Sequence, residues 1–320
     1  MNLLAPSRVD PAFRADVLAG FRMARRAIPA RWFYDRAGSE LFERITRLPD
    51  YYPTRVETAL LERIAPEVAA MVGPGRAVVE FGSGSSIKTP HLLEAIAPAA
   101  YVPIDISGEF LRESAAALAS DFPKLSILPV EADFMQPIAP PAEIASLPKL
   151  GFFPGSTIGN MVARTAVNLL RAMVETLGVG SMLLIGMDRI KDVDVLIRAY
   201  DDAEGVTAAF NLNLLHRINR ELDADIPVDA FRHRAIWNDR FARIEMRLEA
   251  VRDSSFTIEG EHFFMAAGET IHTENSHKYG PRDARLLLRA GAWTPIAEWT
   301  DEKDRFALIL AEAQPPGTAP

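Results

Sequence analysis

The chain contains no cysteine. It therefore forms no disulfide, offers no thiolate to a metal and has no cysteine nucleophile. Such a composition suits a reducing cytosol, and a cytoplasmic protein is expected. A basic excess is missing too: 43 acidic residues outweigh 35 lysines and arginines, leaving a net charge of −8. That balance argues against a general nucleic-acid or anionic-membrane surface, because both need positive charge. No apolar run approaches the roughly 18 residues of a membrane span. The start, MNLLAPSRVDPAFRADVLAGF, meets acids and prolines early and shows no uninterrupted signal-peptide core. Histidine is scarce, with six in 320 residues. No pair of them stands at ligand spacing beside an acid, so no metal is expected. Internal repeats are absent.

What is present is apolar. Hydrophobic residues make up 48% of the chain, enough for the core of one large domain or two modest ones. Apolar periodicity predicts a helix over 56–72, ended by Gly73-Pro74-Gly75. Strands are expected at 77–81, 101–107, 125–134, 149–156 and 181–188. Helices from about Thr89, over about 108–120 and over about 163–177 fall between them. This alternation implies βαβ units, hence a parallel sheet with helices on both faces. Helices at 192–222 are followed by a change of character: 240–251, 254–259 and 262–274 read as antiparallel strands of a different unit. A helix at 281–291 and strands at 293–300 and 305–312, around a turn from Asp301 to Asp304, return to the first type. The expected organisation is a core broken by an insert, with the N-terminal segment joining the insert.

The segment VVEFGSGSSIKT (78–89) sets Gly82 and Gly84 between the first strand and the next helix. Glycines there let the backbone approach a ligand, and a helix start offers free N–H groups. The same turn can serve packing alone. It lacks the third glycine of G-x-G-x-x-G and the P-loop spacing, which disfavours a nicotinamide-dependent oxidoreductase. Asp105 ends the second strand, 21 residues beyond Gly84, where an acid can accept from ribose hydroxyls. Asp133 follows the third strand, placed to hold an adenine amine, with Phe134 beside the ring. Singly, each acid reads equally as a helix cap or turn residue. On successive strand ends, with the glycine turn, they describe a nucleoside pocket that makes no demand for phosphate. S-adenosylmethionine (SAM) fits such a pocket. Glu80, just before the turn, could meet the ligand's amino group or pair with Lys88. Asp201-Asp202 could form a cation site, although a solvated helix face is the preferred reading.

RWFYDRAGSELFERITRLPDYYPTRVE (31–57), VVEFGSGSSIKT, YVPIDIS, EADF, FFPGSTIGN (152–160), AYDDAEGVTAAFNLNLLHRINRELDADI (199–226) and IHTENSHKY (271–279) run in order over nearly the whole chain. Together they resemble the histidine-specific SAM-dependent methyltransferase family. Its best-known activity is Nα-methylation of L-histidine at the start of ergothioneine biosynthesis. The resemblance implies a fold: a Rossmann-like class I methyltransferase core over 57–192 and 281–320. A second, discontinuous α+β substrate-binding domain would take 10–56 and 193–280. It implies three methyl transfers giving hercynine, with L-histidine as the partner; no metal and a monomer are expected beside it.

The resemblance also implies roles. Gly82, Lys88, Asp105, Asp133 and Phe134 match cofactor contacts. Asn160 matches the asparagine that grips the α-amino acid backbone, with Tyr51 and Tyr200 beside the substrate and Tyr34 near its amine. Tyr34 and Asn160 are the residues closest to the chemistry. Glu274 and Ser276 match the pair that holds the imidazole nitrogens, and Met246 a residue lining the ring pocket. From the residues alone, other readings stay open. Tyr51 and Tyr52 could pack beside Pro53, Asn160 could cap the following helix, and Met246 alternates with Ile244 and Leu248 like a core residue. Glu274 and Ser276 lie two apart, so a strand points both to one face; an exposed sheet face would give the same pattern. The alternatives in function are a family member acting on another amino acid or amine, and a non-catalytic SAM-binding protein.

Overall fold

Three breaks in the chain divide the protein into two units. One holds the residues through Tyr51 together with Asp192–Asn275; the other holds Tyr52–Lys191 and the residues from Ser276 onward. The computed structural model describes residues 9–84 and 88–315, so Ser85, Ser86 and Ile87 of the glycine turn and most of the AQPPGTAP tail lie outside the described residues.

In chain order the first elements are α1 (Pro11–Arg22), α2 (Arg36–Arg47), α3 (Tyr52–Val72), β1 (Ala77–Phe81), α4 (Thr89–Ile96), β2 (Ala100–Asp105) and α5 (Gly108–Asp121). Next come β3 (Ser126–Ile127), β4 (Val130–Glu131), β5 (Lys149–Phe153), α6 (Ala163–Leu177), β6 (Met182–Asp188), α7 (Val193–Tyr200) and α8 (Val206–Glu221). Then follow β7 (Phe231–Asn238), β8 (Arg243–Ala250), β9 (Ser254–Ile258), β10 (Glu261–Met265), β11 (Thr270–His277), α9 (Pro281–Ala290), β12 (Trp293–Thr300) and β13 (Phe306–Ala313).

The sheet of the second-named unit runs β12-β13-β6-β5-β1-β2-β3, with β4 also paired to β2. β1 pairs in parallel with β2 and β5, and β5 with β6. β13 is antiparallel to both β6 and β12. AVVEF of β1 and KLGFF of β5 are buried at every position, as strands covered on both faces must be. α6 packs on β5 and α9 on β12, while α3 packs on β6 and β13. This is the expected Rossmann-like class I methyltransferase sheet, closed by an antiparallel strand pair. Its order reverses at β1, which lies between β2 and β5; open α/β sheets bind ligands at such a point, outside the carboxyl ends of the strands.

Several elements differ from expectation. The strand expected at 125–134 is two short pieces, β3 and β4, both on β2. Pro129 between them has no N–H to give the ladder. The strand expected at 149–156 stops at Phe153, before Pro154 and Gly155, whose φ is +79°. α3 starts at Tyr52 rather than near residue 56, with Pro53 in its first turn, where a missing N–H costs nothing.

The other unit carries a sheet ordered β11-β8-β7 and an antiparallel hairpin of β9 and β10. β7, over FRHRAIWN, was not among the expected strands. Its alternation buries Phe231, His233 and Ala235 and exposes Arg232 and Arg234. The strand expected over 262–274 is two, β10 and β11, turned at Gly268 with φ +86°. α8 packs on β7 and β8, and α2 on α8. Asp35 joins these helices: its carboxylate caps α2 at the Gly38 N–H (2.7 Å) and accepts from Asn213 (2.8 Å) and Arg220 (2.6 Å) of α8. A Cβ at Gly38 would lie 1.7 Å from the Phe33 carbonyl oxygen, so only glycine fits there.

Candidate active site

The residues expected to contact the cofactor gather at the carboxyl ends of β1 and β2. Gly82 (φ +73°) and Gly84 (φ +49°) take backbone angles that side chains disfavour. The Gly82 and Ser83 N–H groups donate to the Ile104 carbonyl (2.8 and 3.2 Å), fastening the turn to β2. Asp105 accepts from the Gly84 N–H on one oxygen (3.0 Å) and the Ser107 N–H on the other (2.9 Å). Each oxygen keeps a further lone pair, which suits the two hydroxyls of a ribose. A Cβ on Gly84 would meet no described atom within 4 Å, whereas one on Gly82 would lie 3.3 Å from Phe134. Phe134 stands edge-on to Phe81 (6.5 Å) and Phe153 (5.8 Å), an apolar wall for a base. Asp133 closes a turn by accepting from the Met135 N–H (3.0 Å). Open space at a positive-φ glycine, an anchored acid and an aromatic wall fit the nucleoside end of SAM.

Glu80 is fully buried. Its Oε2 accepts from Thr89 Oγ1 (2.7 Å) and Tyr101 OH (2.6 Å). Burial pushes its carboxyl up to about 7, against the opposing pull of those two donors. The pairing with Lys88 weighed above is not formed: Lys88 pairs with Glu57 of α3, which also accepts from the Gly155 N–H (2.9 Å).

Asn160 ends a 3-10 turn, Thr157–Asn160, just past β5. It does not cap α6, whose cap position is Val162. His277 Nδ1 lies 2.7 Å from the Gly159 carbonyl; a carbonyl only accepts, so that nitrogen carries the proton.

Tyr34, Tyr51 and Tyr200 are brought together. Phe42, a residue the sequence reading did not single out, meets Tyr34 (5.6 Å) and Tyr51 (6.4 Å) edge-on, and Tyr51 meets Tyr200 likewise (6.0 Å). Behind Tyr200 lies a buried polar chain. His233 Nε2 donates to the Tyr200 carbonyl (2.7 Å), so its Nδ1 accepts from Asn211 (2.8 Å). Burial lowers the His233 pKa and keeps this tautomer neutral. The Asn211 amide also donates to the Arg247 carbonyl (3.1 Å) and accepts from Thr273 Oγ1 (2.8 Å). Thr273 in turn reaches the Met246 carbonyl (3.1 Å). Asp202 corrects an expectation: it is buried rather than solvated, and it caps α8 at the Val206 (2.9 Å) and Thr207 (2.7 Å) N–H groups.

Met246 is 2% exposed, Glu274 9% and Ser276 4%. The exposed-face reading of Glu274 and Ser276 therefore fails. Lys278, two residues further on and with a wholly buried side chain, donates to Ser276 Oγ (2.9 Å) and to Asp188 (2.7 Å). Asp188, at the end of β6, also accepts from Tyr52 OH (2.7 Å) and Lys191 (2.5 Å). Burial opposes the charge on Asp188, but Lys278 and Lys191 outweigh it and hold the carboxyl below the usual range. Burial brings Lys191 down to about 8, with Asp188 opposing and Lys278 adding. The sequence signal missed here is the continuation of the alternation, Glu274-x-Ser276-x-Lys278. Among the described residues no group of three or more His, Asp or Glu is placed to hold a metal, and no helix is long and apolar enough to cross a membrane.

A sequence profile described as "Histidine-specific methyltransferase, SAM-dependent" matches residues 13–313. The chain belongs to this family. It is 41% identical to the histidine N-alpha-methyltransferase of Mycolicibacterium smegmatis, covering 97% of this chain and 98% of that one. It is 40% identical to the protein of the same name from Mycobacterium tuberculosis, over 94% of each. It is also 27% identical, over 92% of each, to a 4-dimethylallyltryptophan N-methyltransferase of Trichophyton verrucosum. One relative of this chain is thus named for a tryptophan derivative rather than for histidine.

Proposed function

We propose that the protein methylates the α-amine of L-histidine three times, giving hercynine, the first step of ergothioneine biosynthesis. The observation that carries this is the 41% identity over almost the whole of a chain named for that activity. SAM, when bound, supplies an activated sulfonium methyl. In this reading Asp105 holds its ribose, Asp133 and Phe134 its adenine, and Gly82 and Lys88 complete its contacts. Asn160, Tyr51 and Tyr200 hold the amino-acid group. An amide offers both a donor and an acceptor, matching amine and carboxylate. Tyr34 stands near the amine, which must shed its proton to present a lone pair in line with the methyl. Glu274 and Ser276 read the imidazole, beside Met246. Glu274 and Ser276 are buried polar side chains, and an imidazole offers them both a donor and an acceptor where an indole offers only a donor.

The test is incubation with SAM and the twenty amino acids, with mass spectrometry for mono-, di- and trimethylated products. Histidine should be the substrate, and its absence from the products would end the proposal. The double change Glu274→Ala with Ser276→Ala should lower kcat/KM for histidine by about 2–5 kcal/mol of transition-state stabilisation and leave SAM affinity in place. The ratio of histidine to tryptophan turnover in the two proteins measures it.

A further inference from the structure

The buried carboxylate of Asp188 is shared by two lysines. Lys191 and Lys278 both donate to this single carboxylate, and Tyr52 adds a neutral donor. A buried ammonium is costly unless its remaining protons are also hydrogen-bonded, and Lys191 gives others to the Tyr52 hydroxyl (2.6 Å) and the Arg189 carbonyl (2.7 Å). Lys278 has a second destination as well. Its Nζ lies 2.9 Å from Ser276 Oγ, and an ammonium can only donate. The serine oxygen therefore accepts along one lone pair and has a positive charge behind it. A hydroxyl so placed is polarised to donate onward. A ring N–H aimed at it would meet that charge, whereas a ring lone pair would be welcomed.

We propose that Lys278 is a positioning residue for substrate choice: it makes Ser276 a donor, so that the imidazole binds as the neutral ring with its unprotonated nitrogen towards Ser276. This rests on reading Ser276 as an imidazole contact. The ring N–H is then left for an acceptor, which in that reading is Glu274. Titratable groups around Lys278 include Asp188 from β6, Lys191 just past it and Tyr52 from α3, and Asp301 acts on Lys191 from the turn between β12 and β13. Asp188 is held below the usual carboxylate range and Lys191 titrates at about 8, so these two keep their charges at about pH 5.5.

Two measurements test it. First, Lys278→Met is made in the parent and in Ser276→Ala. In the parent, kcat/KM for histidine should fall at least about tenfold, with SAM affinity unchanged; in the Ser276→Ala background the further loss should be under about twofold. Equal losses in both backgrounds would show that Lys278 does not act through Ser276 and would overturn the proposal. Second, trimethylated histidine, whose amine has no proton to give, is bound to the parent at about pH 5.5 in two buffers of different ionisation enthalpy. A ring with an ordinary pKa near 6.5 is mostly protonated there, so selection of the neutral ring should release close to one proton, and Ser276→Ala should release much less. Binding without proton release would sink the proposal even if Lys278→Met failed to fold. A parent that neither binds nor methylates histidine would overturn the histidine reading and this inference together, an outcome distinct from either result above.

Discussion

Glu80 gives the sharpest prediction at the scale of a single residue. Its folded-state value of about 7 lies above the ordinary 4.5, so the folded protein holds this proton more tightly than the unfolded chain. The stability it contributes is present in full below about pH 4.5 and is lost as pH rises through 7. Glu80→Gln keeps one oxygen for Thr89 and Tyr101 and removes the ionisation. It should stabilise the protein by about 3 kcal/mol at pH 8, shrinking below about 1 kcal/mol near pH 5. Urea midpoints at the two pH values check this, and a difference independent of pH would trace the effect to packing instead. Asp105→Ala should weaken SAM binding by about 1.5–3 kcal/mol, read by calorimetry, and Asp105→Asn, which keeps one accepting oxygen, by less. That Asp105 meets the glycine turn was legible, because a strand, its terminal acid and the preceding turn fix one another's spacing. Lys278 was not, since its meaning depends on Asp188, which no local pattern links to it.

Among the elements, α8 is hydrogen-bonded to β7, β8 and β11 through one amide. Asn211 reaches His233 on β7, the Arg247 carbonyl on β8 and Thr273 on β11, and His233 passes the connection to the end of α7 at Tyr200. Asn211→Leu would strand these buried groups and should destabilise the protein by about 2–4 kcal/mol. It should also raise KM for histidine more than it weakens SAM binding. The neutral His233 adds a pH dependence of opposite sense to that of Glu80. Its folded value lies below 6.5, so its stability is present above that value and is lost as pH falls. His233→Gln, with one donor and one acceptor, should flatten the loss of melting temperature between about pH 7 and 5. Most helices and the mainly apolar, buried strands β1, β5 and β6 could be read from the sequence pattern. β7 escaped because arginines alternate with its buried residues, and β3–β4 were fused because Pro129 was read as part of one strand.

For the whole chain, the change from βαβ alternation to antiparallel strands and back is visible in the sequence, but the sheet order is not, because pairing joins segments far apart. β13 is the extreme case: every residue from Phe306 to Ala311 is buried, and it lies between β6 and β12. A chain ended after Asn275 would leave the apolar β6 as an open edge. It should aggregate or lose its cooperative melt, as circular dichroism and light scattering would show; a soluble, cooperatively folded truncation would contradict this. The same placement bears on biosynthesis. β6 leaves the ribosome at Asp188, and its partner does not begin until Phe306, 306 − 188 = 118 residues later. At roughly 5–20 residues per second, an inner strand of the sheet waits on the order of ten seconds for its neighbour. The nascent protein therefore depends, for that interval, on whatever shields β6 from other chains in the cell.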